Sequence, residues 1–166
     1  MINTKKCNFC HLNKPLTDFY ENYKTKCKSC KREYEKKYRK LNKSKCNEDR
    51  RIYKANRLKT DPLYALKNSL RKLINESMKR KGYSKNTKTY KYLGADYETV
   101  YIHLAKSFID NYGRKPTQED DINIDHIKPC ALAKNEQEMI ELQHYTNLQW
   151  LLAEDNRNKG DKYEED

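Results

Sequence analysis

Two groups of residues in this chain have the types and spacing for chemistry. The first is a doubled cysteine pair, Cys7-x-x-Cys10 and Cys27-x-x-Cys30, with 16 residues between the pairs. Two thiolates at i and i+3 on a tight turn reach one tetrahedral Zn²⁺ at ~2.3 Å, and a second such turn completes a closed, structural site. Cys46 and Cys130 have no partner at ligand spacing and read as free thiols, and His11 beside Cys10 reads as a surface residue. The second group lies near the C-terminal end: Asp125 and His126 side by side, then Asn147, then Asn156 nine residues later. Hydrolysis of a phosphodiester needs a base that takes a proton from water near neutral pH, which suits a positioned histidine. It also needs neutralisation of charge on the phosphate and the leaving oxygen, which a hard divalent cation held by carboxylate and amide oxygens supplies.

These residues need elements to position them. Residues 1–30 read as a loop-rich zinc ribbon. Residues 31–60 contain neither Pro nor Gly, and Tyr34, Tyr38 and Leu41 fall at helical spacing, which predicts one long, basic helix. Asp61-Pro62 is an N-cap followed by proline at the first helical position; Leu63, Leu66, Leu70, Leu73 and Ile74 continue at helical spacing, and Gly82 closes the helix. A further helix from about Asp96 to Gly113 should bury Tyr97, Val100, Leu104 and Phe108. After a polar loop over 114–121, residues 122–127 alternate apolar and polar and predict a strand; adjacent Asp125 and His126 then point to opposite faces unless the strand end twists. Residues 136–145 suggest a helical insert, 148–152 a second strand and 153–162 a short polar helix. His103 and His144 read as structural.

Charge divides the chain further. Residues 1–60 hold 19 Lys/Arg against 6 Asp/Glu, and 61–95 hold 9 against 2, whereas 96–166 hold 8 against 16. With 14 Tyr interleaved among the charges and a net charge of +12, the basic half suits a polyanion, with double-stranded DNA as the expected partner. No apolar stripe accompanies the lysines, so a membrane is not an expected partner, and no segment approaches a signal peptide or membrane span. A soluble, cytoplasmic protein is expected, in which cysteines serve as metal ligands or free thiols. Low hydrophobic content, 36%, leaves little for a large core, so a metal would help the first module fold.

The order of the C-terminal pieces resembles a known family. Ile124-Asp125-His126-Ile127-Lys128-Pro129, then Asn147-Leu148, then Asn156-Arg157-Asn158-Lys159-Gly160-Asp161 resemble the HNH (ββα-metal) endonuclease motif in its HNN form. Asp61-Pro62-Leu63-Tyr64, Tyr92-Leu93-Gly94 and His144-Tyr145-Thr146 are similar to an HNH group common in bacteriophages, as is the cysteine-bearing start with Lys14-Pro15-Leu16 and Phe19-Tyr20. The resemblance implies an α+β protein: a four-cysteine zinc-binding module over 1–30, a basic helical DNA-binding region over 31–95 and an HNH ββα-metal nuclease domain over 96–166. It implies His126 as the general base, Asp125 and Asn156 as ligands of a catalytic Mg²⁺ (or Mn²⁺), Asn147 as the residue holding the loop that orients His126, and zinc on Cys7, Cys10, Cys27 and Cys30. Asn158 is the alternative metal ligand to Asn156. Arg157, Lys159, Lys36, Lys37, Arg39, Arg50 and Arg51 are the candidate DNA contacts. A phage homing endonuclease in the cytoplasm of an infected cell, monomeric or homodimeric, is the implied setting. Two other readings stand beside it. One is a non-catalytic zinc-ribbon DNA-binding regulator. The other is a junction-resolving nuclease, against which the position of Asp125-His126 beyond both cysteine pairs argues.

Overall fold

The structure, a computed structural model, describes residues 3–22 and 25–163. Met1 and Ile2 of the opening segment and residues 164–166 of the last expected domain lie outside them. The chain forms two compact units divided between Asn56 and Arg57.

In the first unit, β1 (Thr4–Lys6) pairs antiparallel with β2 (Asn13–Pro15), Lys5 facing Lys14. Helix α1 (Lys28–Leu41) follows, then α2 (Lys43–Thr60), which continues past the division. The single helix expected over 31–60 is therefore two. The break falls at Asn42 (φ −112°, ψ 30°), whose backbone N–H and side-chain Nδ2 both donate to the Tyr38 carbonyl. Asparagine side chains offer the backbone this local alternative to helix continuation, and a search for Pro and Gly alone does not register it. Among the described residues of this unit the buried ones are Cys7, Phe19, Cys27 and Cys30. Helix α2 buries none. So little apolar area cannot by itself offset the chain entropy of ordering such a segment, at roughly 1–2 kcal/mol per residue.

The second unit has a conventional core. Helix α3 (Pro62–Arg80) begins as expected: Asp61 Oδ1 accepts from the Tyr64 N–H at 2.9 Å, with Pro62 in the first turn. A short α4 (Thr89–Leu93) and then α5 (Tyr97–Tyr112) follow; Asp96 caps α5 through the Thr99 N–H at 2.8 Å, and Gly113 ends it in the left-handed region at φ 66°. The α3 row Leu66, Leu70, Ile74 and Met78 packs with Tyr92, Leu93, Val100, Leu104, Met139 and Leu148 in one core. That core crosses the boundary expected at residue 95: α3 is part of the scaffold under the second sheet. The sheet is β3 (Ile122–His126) and β4 (Leu148–Leu152), antiparallel, with Asp125 opposite Gln149 and His126 opposite Leu148. Between them run α6 (Glu136–Glu141) and a 3-10 turn at Tyr145–Asn147, so the expected insert helix over 136–145 is only its first six residues. Helix α7 (Ala153–Lys159) leaves β4 directly and packs on both strands, stopping at Gly160. The loop before β3 is tied down: Arg114 donates twice to Asp120 at 2.7 and 2.8 Å, and Thr117 N–H donates to the same carboxylate. The architecture is mixed α+β, with seven α-helices and two two-stranded sheets among the described residues.

Candidate active site and metal centre

The four cysteine sulfurs of the first unit lie within 4.8 Å of one another, Cys10 Sγ and Cys27 Sγ at 4.0 Å. A tetrahedron with ~2.3 Å metal–sulfur bonds has edges of roughly 3.8 Å, so the cluster can hold a structural metal such as zinc. The first pair sits on the turn after β1, closed by His11 N–H to Cys7 O at 2.9 Å and by His11 itself at φ 60°. The second pair departs from the expected ribbon. Cys27 is the N-cap of α1 and Cys30 lies in its first turn, where i and i+3 side chains share a face. A helix start thus does what a second knuckle does in a ribbon. Backbone N–H groups of Phe9 and Cys27 point at Cys7 Sγ at 3.4 and 3.3 Å. The backbone N–H groups of Cys10 and then Cys27 hold the Cys7 thiol down, to about 6. The Ser29 hydroxyl, chiefly, lowers Cys27. Cys30 goes the other way, to about 12, because its proton is shared with the Cys27 sulfur and because it is buried. A divalent metal binds the deprotonated form of each sulfur, so its binding would release the protons the cluster still holds.

In the second unit three of the sequence-predicted residues border the same space, and Asn147 lies outside it. Asp125, His126 and Asn156 line one cleft of about 480 Å³, together with Ser77, Arg80, Lys81 and Cys130. This volume lies in the range of small-ligand sites, ~300–1,000 Å³. Asn158, the alternative to Asn156, is exposed and does not line this cleft. Asp125 and His126 reach the same cleft although they are neighbours on a strand, because β3 ends at His126 and the chain bends over the next two residues.

Asn147 makes that bend. Its Oδ1 accepts from the Lys128 N–H at 2.9 Å, and its Nδ2 donates to the carbonyls of Lys128 and Leu142 at 3.1 and 2.8 Å. Its own carbonyl accepts from the Ile127 N–H at 2.8 Å. One side chain thus clamps the segment after His126 to the segment before β4. His126 is buried, with Nε2 3.1 Å from Gln143 Oε1. Burial, above all, holds the imidazole below its ordinary value of 6.5 despite the Gln143 hydrogen bond and the Asp125 charge, which act upward. It is neutral at neutral pH, the form a general base requires.

Asp125 has partners that sequence reading does not anticipate. Gln149 Nε2 donates to its Oδ2 at 3.1 Å from the facing position on β4, and Lys159 Nζ lies 3.0 Å from the same oxygen while donating to the His126 carbonyl at 2.9 Å. Strand register, once assigned, is the signal that finds Gln149. Lys159, expected as a phosphate contact, is half-buried at the carboxylate, whereas Arg157 is exposed. A carboxylate and an amide oxygen are hard donors that suit Mg²⁺ or Mn²⁺; a cation there has to share Asp125 with the Lys159 ammonium or displace it. Cys130, read as an unpartnered thiol, lines the cleft and accepts from Gln143 Nε2 at 3.2 Å; burial pushes its thiol up.

His103 and His144 make packing and hydrogen-bond contacts away from Asp125. His103 Nε2 lies 2.9 Å from the Leu148 carbonyl and ties α5 to β4. The His144 ring packs where a Gly94 side chain would be, with a Cβ there only 2.5 Å from it, and Gly94 sits at φ 71°. Of the expected DNA contacts in the first unit, all are exposed; Arg39 and Arg51 are paired with Glu35 and Glu48. Among the described residues no helix is long and apolar enough to cross a membrane.

Comparison with known proteins adds no relative: no family model matches the chain, and neither curated proteins nor solved structures give a significant match.

Proposed function

We propose that this protein is a metal-dependent DNA endonuclease of the HNH type, hydrolysing phosphodiester bonds of double-stranded DNA. The observation that carries the reading is the shared cleft: a buried neutral imidazole, a carboxylate and a carboxamide line it together, on a β-hairpin followed by a helix. Asp125 and Asn156 would hold the divalent cation, Mg²⁺ or Mn²⁺, which supplies charge neutralisation at the phosphate and the departing 3′ oxygen. His126 accepts a proton from water as the water oxygen bonds to phosphorus and the P–O3′ bond breaks, the alkoxide taking up a proton from solvent. Asn147 keeps the bend that aims His126. Exposed Lys36, Lys37 and Arg50, with Arg39, Arg51 and Arg157, suit backbone phosphates, and binding should weaken steeply with salt. The zinc-type centre supports the basic helix that carries three of them.

A second reading has one specific observation in its favour. The Asp125–Lys159 ion pair already neutralises the carboxylate, as it would in a DNA-binding regulator with a silent nuclease fold. Incubation of supercoiled plasmid with the full chain and Mg²⁺ separates the two. Conversion to nicked circles, lost by a factor of about 10²–10⁴ in His126→Ala with DNA binding retained, is the result expected of the nuclease. Binding without nicking under Mg²⁺ or Mn²⁺ favours the regulator.

A further inference from the structure

The amide of Gln143 is wholly buried and touches four separate segments. Its Nε2 lies 3.2 Å from the Met139 carbonyl and 3.2 Å from Cys130 Sγ; its Oε1 lies 3.1 Å from His126 Nε2 and 3.2 Å from Ser77 Oγ. A backbone carbonyl can only accept, so the atom facing Met139 has to be the NH₂ and the atom facing His126 has to be the oxygen. An amide oxygen in turn can only accept. The Ser77 hydroxyl has a single proton and a competing acceptor in the Ile74 carbonyl at 3.1 Å, so it does not alter the demand on the imidazole. His126 Nε2 therefore carries the proton, and the lone pair of the neutral ring falls on Nδ1, which makes no hydrogen bond to the described residues.

We propose that Gln143 is a positioning residue that selects the Nε2–H tautomer of His126 and so presents Nδ1 to the cleft as the acceptor for the proton of water. The catalytic consequence rests on the nuclease reading; the tautomer assignment does not. Gln143 acts through His126 and contacts no reacting atom. The reason for a side chain of this kind is that a ring held on one nitrogen by an oriented acceptor loses both its flip, which would turn Cδ2–H toward the water, and its alternative tautomer, which would turn Nδ1–H toward it. Sequence reading gives Gln143 no chemical signal: it falls inside the insert expected over 136–145, and the structure places it in the turn after α6.

The test uses full-length protein labelled with ¹⁵N-histidine, whose ring nitrogens are assigned by long-range ¹H–¹⁵N correlation at mildly alkaline pH. Wild type should give the Nε2–H pattern for His126, and Gln143→Met, similar in shape but without the acceptor, should give a mixture of tautomers. In the nicking assay the same variant should lose about 10–100-fold in kcat with KM for DNA nearly unchanged. An Nδ1–H pattern in wild type overturns the proposal, as does a Gln143→Met protein that keeps both the wild-type tautomer and the wild-type kcat. Should the variant fail to fold, the wild-type spectrum decides alone. Absence of nicking by a wild type with the Nε2–H pattern would remove the nuclease reading and leave the tautomer assignment standing.

Discussion

The two units solve the problem of building a fixed site in opposite ways. In the first, the candidate metal ligands are nearly the whole core: among its described residues, three of the four buried ones are cysteines, joined by Phe19. In the second, ten buried residues drawn from α3, α4, α5, α6 and β4 form the core, and the candidate site sits beside it on the hairpin β3–β4 and on α7. Where the core is a cluster of sulfurs that could hold a metal, losing one of them should remove the fold. Where it is leucine, isoleucine and valine, the site can be emptied or altered and the scaffold stays. The side chains follow the same division: four soft sulfur donors that could close a coordination shell in the first unit, and a carboxylate and an amide, hard oxygen donors, in the second.

The largest effect expected from this contrast is in the first unit. Cys27→Ala should abolish metal retention and the cooperative folding of residues 3–56, while the second unit keeps its thermal transition. Metal analysis and limited proteolysis followed by mass spectrometry would read this; a protease-resistant first unit without metal would break the comparison. The mirror experiment is Leu70→Ala, which removes a fully buried side chain from the second core. It should cost about 2–5 kcal/mol in denaturant unfolding of that unit, with zinc stoichiometry unchanged.

A smaller effect sharpens the electrostatic side. Burial holds the folded His126 below its ordinary 6.5, so the unfolded chain binds the proton more readily. Its contribution to stability is present above 6.5 and is lost as pH falls through the folded value. The acid limb of kcat/KM in the nicking assay should likewise fall below 6.5 for the free protein. A limb above 6.5 would mean that the imidazole is not the buried neutral group described.

Much of the scaffold was legible because local rules governed it. Asp61-Pro62, Asp96 and Gly113 act at the helix ends where their types place them, and the apolar rows of α3 and α5 are the rows that pack. Composition and pair spacing sufficed for the cysteine cluster, but not for its form, since Cys27-x-x-Cys30 has the same spacing on a turn and on the first turn of a helix. The break at Asn42 depends on a side chain competing for one carbonyl, which periodicity does not register. At the candidate site, Asp125, His126, Asn147 and Asn156 were readable as types, whereas the groups holding them were not. Gln149 needs strand register, Ser77 comes from 66 residues before Gln143, and Lys159 turns inward to Asp125 when its position next to exposed Arg157 suggested a phosphate contact. Long-range partners are set by tertiary packing, and one sequence carries little trace of them.

On the proposed function, Asp125 and Asn156 form one hard-cation site beside His126. Manganese titration of the zinc-loaded full chain with duplex DNA, followed by electron paramagnetic resonance, tests it most directly. One Mn²⁺ should bind, at least about tenfold more weakly in Asp125→Ala and in Asn156→Ala, and more tightly in Lys159→Met, in which the competing ammonium is gone. Manganese held equally well by Asp125→Ala and wild type would contradict it.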